Sequence, residues 1–172
     1  AGIAVCALSA ITAPVGAAQT HPRFAPVVMP PHVYDGGWEF FVGGGMAVFD
    51  CDQDSLPDIF IAGGEAPSAL LRNRSQRGGE VKFTKQTPQD LSLENVTGAY
   101  PLDIDGDGFL DLAVLRVGAN LILQGAAECH FTPFANFKDD YLSGWTTSFS
   151  ATWETGQSLP TLAFGNYVDR NN

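Results

Sequence analysis

Eight aspartates are concentrated in two short segments, and both segments have the spacing Asp-x-Asp-x-Asp-x-x-x-Asp. Carboxylates this close together repel one another unless a cation lies among them. Ca²⁺ takes about six to eight oxygen ligands, and a tight loop with carboxylates at positions 1, 3, 5 and 9 can supply them. We therefore predict two calcium sites, each with a backbone carbonyl at position 7 as a further ligand. The predicted ligands are Asp50, Asp52, Asp54, Leu56 and Asp58 in the first loop, and Asp103, Asp105, Asp107, Phe109 and Asp111 in the second.

The two loops differ at the positions where the backbone must turn most tightly. The second loop has Gly106 and Gly108 there, and glycine adopts positive φ readily. The first loop has Gln53 and Ser55 instead, and a residue with a Cβ takes the left-handed conformation only at a cost of about 1–2 kcal/mol. We therefore expect weaker calcium binding at the first loop.

The alternatives to a calcium loop are an EF-hand, a magnesium site and a turn without a metal. An EF-hand has a glutamate at position 12 of its loop, and neither loop has one. Mg²⁺ retains water and uses fewer protein carboxylates. Solvated Asp-rich turns without a metal are the remaining alternative. The recurrence of the same spacing favours calcium, because such a loop arises by chance less readily twice than once.

The loops lie at equivalent places in a longer repeat. Aligning them superposes Asp50 on Asp103, an offset of 53 residues, and the alignment pairs Leu70-Leu71 with Leu121-Ile122 by leaving two residues out of the second repeat. Short runs of Val, Ile, Leu and Phe, bounded by Gly, Asp or Pro, flank both loops and are typical of β-strands. About four strands in some 50 residues indicate a propeller blade, which must stack on its neighbours to bury both faces. We predict an all-β chain, an incomplete β-propeller of about two four-stranded blades and the start of a third.

The remaining sequence divides around this repeat. Residues 1–18 are small, apolar and uncharged, which is typical of a secretory leader. Residues 19–37 contain four prolines and are expected to form an extended arm or linker. The blades are expected at about 38–90, 91–140 and 141–172, the last one partial, with Asp169 and Asn171 as candidates for the start of a third acidic loop.

Composition narrows the classes of partner and compartment. The formal net charge is -10, which argues against nucleic acid, because phosphates require a basic surface. No stretch after the leader reaches the roughly 20 apolar residues of a membrane span. Together with the leader, this predicts a secreted, periplasmic or cell-surface protein. There Cys51 and Cys129 could form a disulfide, although two free buried thiols fit the sequence equally well.

No catalytic residues are visible, and we predict a protein that is not an enzyme. His21, His32 and His130 are isolated, without partners at zinc-ligand spacing, and no Gly-x-Ser-x-Gly elbow surrounds a serine. The large aromatic side chains are expected in the core between blades, with Trp145 or Trp153 as alternative contacts for a sugar. These aromatic residues are Trp38, Phe40, Phe41, Trp145, Phe149 and Trp153.

The segment GGGMAVFDCDQDSLPDIFIAGG, followed by LLRN, resembles the FG-GAP or VCBS repeats of the integrin α-subunit propeller and of many exported bacterial proteins. The segment LAFGNYVDR is similar in particular to the subgroup related to cartilage acidic protein. The resemblance covers roughly residues 37–172. It implies a calcium-bound propeller, typically of about seven blades, that serves as a rigid platform for adhesion to an extracellular protein or glycan.

Two further expectations follow from this resemblance. Additional blades would complete the propeller in a longer chain. The alternative function is a propeller scaffold of a secreted hydrolase or lyase, whose catalytic part would lie outside these 172 residues.

Overall fold

The computed structural model describes residues 23–41, 44–135 and 143–168. The predicted leader at 1–18, His21, and the third loop suggested at Asp169 and Asn171 lie outside the described residues. Residues 23–34, within the predicted arm, carry no regular secondary structure.

Ten β-strands and three short 3₁₀ helices make up the regular structure of the described residues, which contain no α-helix. This confirms the prediction of an all-β chain. The strands are β1 (Met46–Phe49), β2 (Asp58–Ile61), β3 (Ala69–Asn73), β4 (Phe83–Lys85), β5 (Val96–Leu102), β6 (Asp111–Ala119), β7 (Leu121–Ala126), β8 (His130–Pro133), β9 (Ser143–Thr152) and β10 (Thr161–Asn166). The 3₁₀ helices are Trp38–Phe40, Gln89–Leu91 and Ala127–Cys129.

The first four strands form an antiparallel sheet in the order β1-β2-β3-β4. Successive side chains of a strand point to opposite faces, and in β1 Ala47 and Phe49 are buried whereas Met46 and Val48 are exposed. The first acidic loop joins β1 to β2. Because Phe49 pairs with Asp58 in the strand register, the two ends of this loop are held side by side.

The next four strands repeat this arrangement. β5 pairs with β6, β6 with β7 and β7 with β8, all antiparallel. The second acidic loop joins β5 to β6, and its ends are held together by the pairing of Leu102 with Asp111.

The strands of the predicted third unit extend this second sheet and do not form a separate one. β6 continues past Arg116, where its pairing with β5 ends, and Val117–Ala119 pair with β9 instead. β9 then forms a hairpin with β10, so that six strands share one sheet. The backbone groups at the end of a long strand require partners, and the hairpin supplies them.

The core lies between the two sheets. One cluster of buried side chains includes Phe49, Phe60 and Leu70 from the first sheet and Leu112 and Phe131 from the second. The rings of Phe49 and Phe131 meet edge to face, with centroids 6.2 Å apart. Neither sheet could bury its apolar face alone, so the repeats stabilise each other by stacking.

A disulfide crosses this interface. Cys51, inside the first acidic loop, is bonded to Cys129, which precedes β8, and their Cα atoms are 4.9 Å apart. Of the two states that fit the sequence, the structure has the disulfide. It joins positions 78 residues apart, and closing a loop of this length removes roughly 4–5 kcal/mol of entropy from the unfolded chain in the chain-entropy treatment.

Three of the six aromatic residues expected in the core are at the surface. Trp38, Phe41 and Trp153 are 63%, 66% and 54% exposed, whereas Phe40 and Trp145 are buried. The short helix at Trp38–Phe40 directs Phe40 inward and thereby leaves its neighbours outside. Trp38 covers the edge of the core by packing on Trp145, with ring centroids 4.9 Å apart.

The disulfide is expected to contribute strongly to stability. With Cys6 replaced by alanine throughout, so that only one pair can form, the Cys51→Ala/Cys129→Ala variant should lose about 2–4 kcal/mol of unfolding free energy. Urea denaturation of the oxidised parent, the reduced parent and the variant measures this loss. Equal midpoints for the oxidised parent and the variant would contradict a stabilising role for the disulfide.

Candidate metal centre

Each acidic loop is the connection of a β-hairpin. Its first aspartate follows a strand by one residue, and its last aspartate, Asp58 or Asp111, is the first residue of the next strand. Because paired strands lie roughly 5 Å apart, the hairpin register alone brings the first and last carboxylates of each loop close together.

Three of the four carboxylates converge in each loop. Ligand oxygens of Asp103, Asp105 and Asp111 lie within 4.8 Å of one another, and so do those of Asp50, Asp52 and Asp58. The fourth carboxylate is outside the group in both loops. Asp54 Oδ1 accepts the N–H of Leu56 at 2.8 Å, and Asp107 Oδ1 accepts that of Phe109 at 2.8 Å. Coordination by these two aspartates, and by the Leu56 and Phe109 carbonyls, stays a prediction.

In both loops the first aspartate accepts two backbone N–H groups of the turn, one of them from position 6. Asp103 accepts the N–H groups of Gly106 and Gly108, at 2.8 and 3.0 Å. Asp50 likewise accepts the N–H groups of Asp54 and Ser55, at 3.1 and 2.7 Å. The first carboxylate of each loop thus folds the chain around itself.

The predicted positive φ angles are present in both loops. φ is 78° at Gly106 and 91° at Gly108, and it is 61° at Gln53 and 67° at Ser55. The first loop therefore takes the same turn with residues that have a Cβ, and each of them costs about 1–2 kcal/mol relative to an unstrained backbone.

The aspartate at position 9 of each loop connects the loop to the third strand of its repeat, which is β3 or β7. Asp111 Oδ2 accepts the N–H of Ile104 at 2.7 Å, and Oδ1 accepts that of Gly125 in β7 at 2.8 Å. Asp58 Oδ1 accepts the N–H of Asn73 at 2.7 Å. Burial raises the pKa of both carboxyls above the usual aspartate value, and the N–H donors lower it in part. A nearby cation would stabilise these buried charges further.

The comparison with known protein families agrees with this geometry. Residues 50–114 match the FG-GAP-like repeat. The matched segment begins at the first aspartate of the first loop and ends three residues after the last aspartate of the second. It does not support the narrower subgroup related to cartilage acidic protein. No match was found among curated proteins or among solved structures.

The donor set of the FG-GAP-like repeat fits a hard divalent cation. The converging atoms of both loops are carboxylate oxygens, the ligands that Ca²⁺ prefers, and its flexible coordination tolerates the irregular arrangement of a loop. In addition, Asp52 Oδ1 is buried without a hydrogen-bond partner within the described part of the chain. A buried oxygen of this kind costs free energy unless a partner, here a cation, reaches it.

A third group of ligand-type atoms does not fit a metal. Cys51, Asp58 and Cys129 lie together and are all buried. However, the two sulfurs are joined in the disulfide, and only thiolates bind metals well. Asp58 therefore belongs to the acidic loop and not to a cysteine site.

Two residues that contact the loops were not found from the sequence. Arg72 donates through Nε to Asp58 Oδ1 at 3.2 Å and through Nη2 to Asp52 Oδ2. In the second loop, Gln124 Nε2 donates to Asp105 Oδ2 at 2.7 Å. Aligning the repeats on the third strand with one residue deleted would have revealed this pair.

The sequence alignment of the third strand was wrong by one residue. Leu71 pairs with Ile59 in the first sheet, and Leu123 pairs with Leu112 in the second. Leu70-Leu71 is therefore equivalent to Ile122-Leu123, and Arg72 is equivalent to Gln124. The connection between the second and third strands of the second repeat is shorter by one residue, whereas the pairing of Leu70-Leu71 with Leu121-Ile122 required it to be shorter by two.

The two loops of the FG-GAP-like repeat also contact each other. Gln53 Nε2 donates to the Gly108 carbonyl at 2.9 Å. Gln53, at the strained turn of the first loop, thus contacts the glycine turn of the second loop.

Within the described residues, no helix has the length and apolar character required to cross a membrane.

The backbone strain of the first loop can be tested by exchanging the turn residues. Ser55→Gly should raise the unfolding free energy by about 0.5–1 kcal/mol, because relief of left-handed strain exceeds the entropy that glycine adds to the unfolded chain. The reverse change, Gly108→Ser, should lower the unfolding free energy by a similar amount. A Cβ at Gly108 meets no atom within 4 Å, so the cost comes from the left-handed backbone and not from a clash. Chemical denaturation in a chelator measures both. Equal stability of the two variants would contradict the strain argument.

Proposed function

We propose that this chain is a calcium-binding, propeller-type scaffold of a secreted, periplasmic or cell-surface protein, used as a rigid platform for binding an extracellular protein or glycan. The observation that carries the proposal is the convergence of three carboxylates at the same place in two loops, both inside the segment that matches the FG-GAP-like repeat.

Calcium in this proposal is structural. Asp103, Asp105 and Asp111 would hold it in the second loop, with Asp107 and the Phe109 carbonyl as further predicted ligands. The ion supplies positive charge among carboxylates that otherwise repel one another. Because Asp111 also binds the backbone of β7 through Gly125, an ordered loop would fix the ends of three strands of the sheet at once.

The binding platform is supported by aromatic side chains on the surface. Trp38, Phe41 and Tyr167 are 63%, 66% and 59% exposed, and they lie together because Trp38 contacts both of the others, with ring centroids 5.9 and 6.4 Å apart. Tryptophan and tyrosine are enriched at interfaces, because their rings supply a large contact area and a polar group. Further blades completing the propeller are part of the proposal, because FG-GAP-like repeats need neighbours to bury both sheet faces.

Calcium should stabilise the chain through the acidic loops. At a concentration about a hundredfold above its dissociation constant, calcium should raise the unfolding free energy by about 2–3 kcal/mol. The Asp103→Asn/Asp105→Asn variant should lose most of this gain, whereas Asp90→Asn, which removes an exposed charge outside the loops, should retain it. Thermal unfolding in calcium, magnesium and chelator measures the effect. Identical midpoints with and without calcium would refute the calcium proposal.

The platform is tested separately by a binding screen. Glycans and extracellular matrix proteins are screened in calcium and in chelator, and binding is expected to weaken in chelator and to fall about tenfold or more in the Trp38→Ala variant, since tryptophan anchors often contribute over 1 kcal/mol. Phe24→Ala, which removes an exposed aromatic side chain of the N-terminal segment, is the matched control. Silence of the whole screen in calcium would count against a binding role.

A further inference from the structure

A positively charged side chain of the protein itself already contacts the carboxylates of the first acidic loop. Arg72 lies in β3 and its side chain is only 8% exposed. Its guanidinium bonds to Asp52 through Nη2 and to Asp58 through Nε. Two of the three converging carboxylates of this loop are therefore already paired with a positive charge.

The equivalent position in the second loop is neutral. Gln124 donates a single hydrogen bond to Asp105, and it brings no charge. Four carboxylates and one guanidinium leave the first loop with a formal charge of about -3, whereas the second loop retains about -4. An arginine side chain is always protonated in proteins, so this difference persists at all ordinary pH values.

We propose that Arg72 is the resident cation of the first loop, and that the second loop is consequently the tighter calcium site of the pair. This inference rests on the proposed function. A calcium ion entering the first loop would have to displace the guanidinium from Asp52 and Asp58. The displaced guanidinium would then remain in a buried position without its partners, which is costly. It would also repel the incoming ion.

The first loop keeps a weak capacity for calcium in this scheme. Asp52 Oδ1 is the buried oxygen that Arg72 leaves without a partner, and Asp50 is not paired with the guanidinium. The strained turn at Gln53 and Ser55 also weakens calcium binding at the first loop, but it does so through backbone strain and not through charge. Exchange of Arg72 alone, with the turn unchanged, therefore isolates the contribution of charge.

The experiment measures calcium binding to the whole chain by isothermal titration calorimetry. In a background where Asp103→Asn and Asp105→Asn disable the second loop, Arg72→Gln should tighten calcium binding at the first loop by about tenfold or more, because a positive charge a few ångströms from the ion is removed. Arg74→Gln is the matched control, since Arg74 is an exposed arginine two residues away that contacts Gln86 and not a loop carboxylate.

The reciprocal exchange tests the same idea in the second loop. Gln124→Arg, in the chain with both loops intact, should weaken the tighter calcium site about tenfold. It should also raise the melting temperature in chelator, because the new guanidinium would stabilise the carboxylates when calcium is absent. Arg72→Gln should do the opposite, lowering stability in chelator and regaining it in calcium.

The outcomes separate this inference from the proposed function. If the second loop binds calcium but Arg72→Gln and Arg74→Gln change the first loop equally, the role of Arg72 is refuted. An unchanged calcium affinity of the second loop in Gln124→Arg also refutes the role of Arg72. If Arg72→Gln does not fold in calcium, the Gln124→Arg result alone is the test of that role. If the unaltered chain binds no calcium and neither exchange creates binding, the proposed function itself fails and the inference fails with it.

Discussion

The bond between a buried aspartate and the backbone N–H groups around it holds each repeat together. Asp111 is completely buried, and its two oxygens accept the N–H groups of Ile104 in the loop and Gly125 in β7. A side chain at Gly125 would collide with the Leu110 carbonyl, so glycine permits this close approach. Because a buried carboxylate is costly unless all its bonds are made, the loop, the strand that follows it and the third strand are stabilised or lost together.

This constraint leaves each loop with a surplus of negative charge that the rest of the repeat must offset. The two copies offset it differently, with Arg72 in one and an uncharged Gln124 in the other. The two repeats therefore have loops with positive φ at the same positions and different electrostatics. Their direct contact, from Gln53 to the Gly108 carbonyl, means that ordering of one turn restricts the other.

Much of the architecture follows from local patterns in the sequence. Apolar runs bounded by Gly, Asp and Pro predict the strands, and the aspartate spacing predicts where the hairpins bend, down to positive φ at Ser55 and Gly108. Features that depend on contacts between residues far apart in the sequence could not be predicted from these local patterns. Pairing of Cys51 with Cys129 requires two stacked sheets, and the role of Arg72 depends on a strand register that one deleted residue hides. The exposure of Trp38 is decided by a single turn that can bury only one of several adjacent aromatic rings.

The disulfide also changes what a protease can do to this molecule. The turn between β3 and β4, around residues 76–80, is exposed, and exposed loop tips are preferred sites of cleavage. It lies inside the covalent ring closed by Cys51 and Cys129. A single cut there would open the ring without releasing either fragment, because the two pieces stay bonded through sulfur and packed through the shared core. The two pieces of a nicked molecule would therefore stay together until the disulfide is reduced.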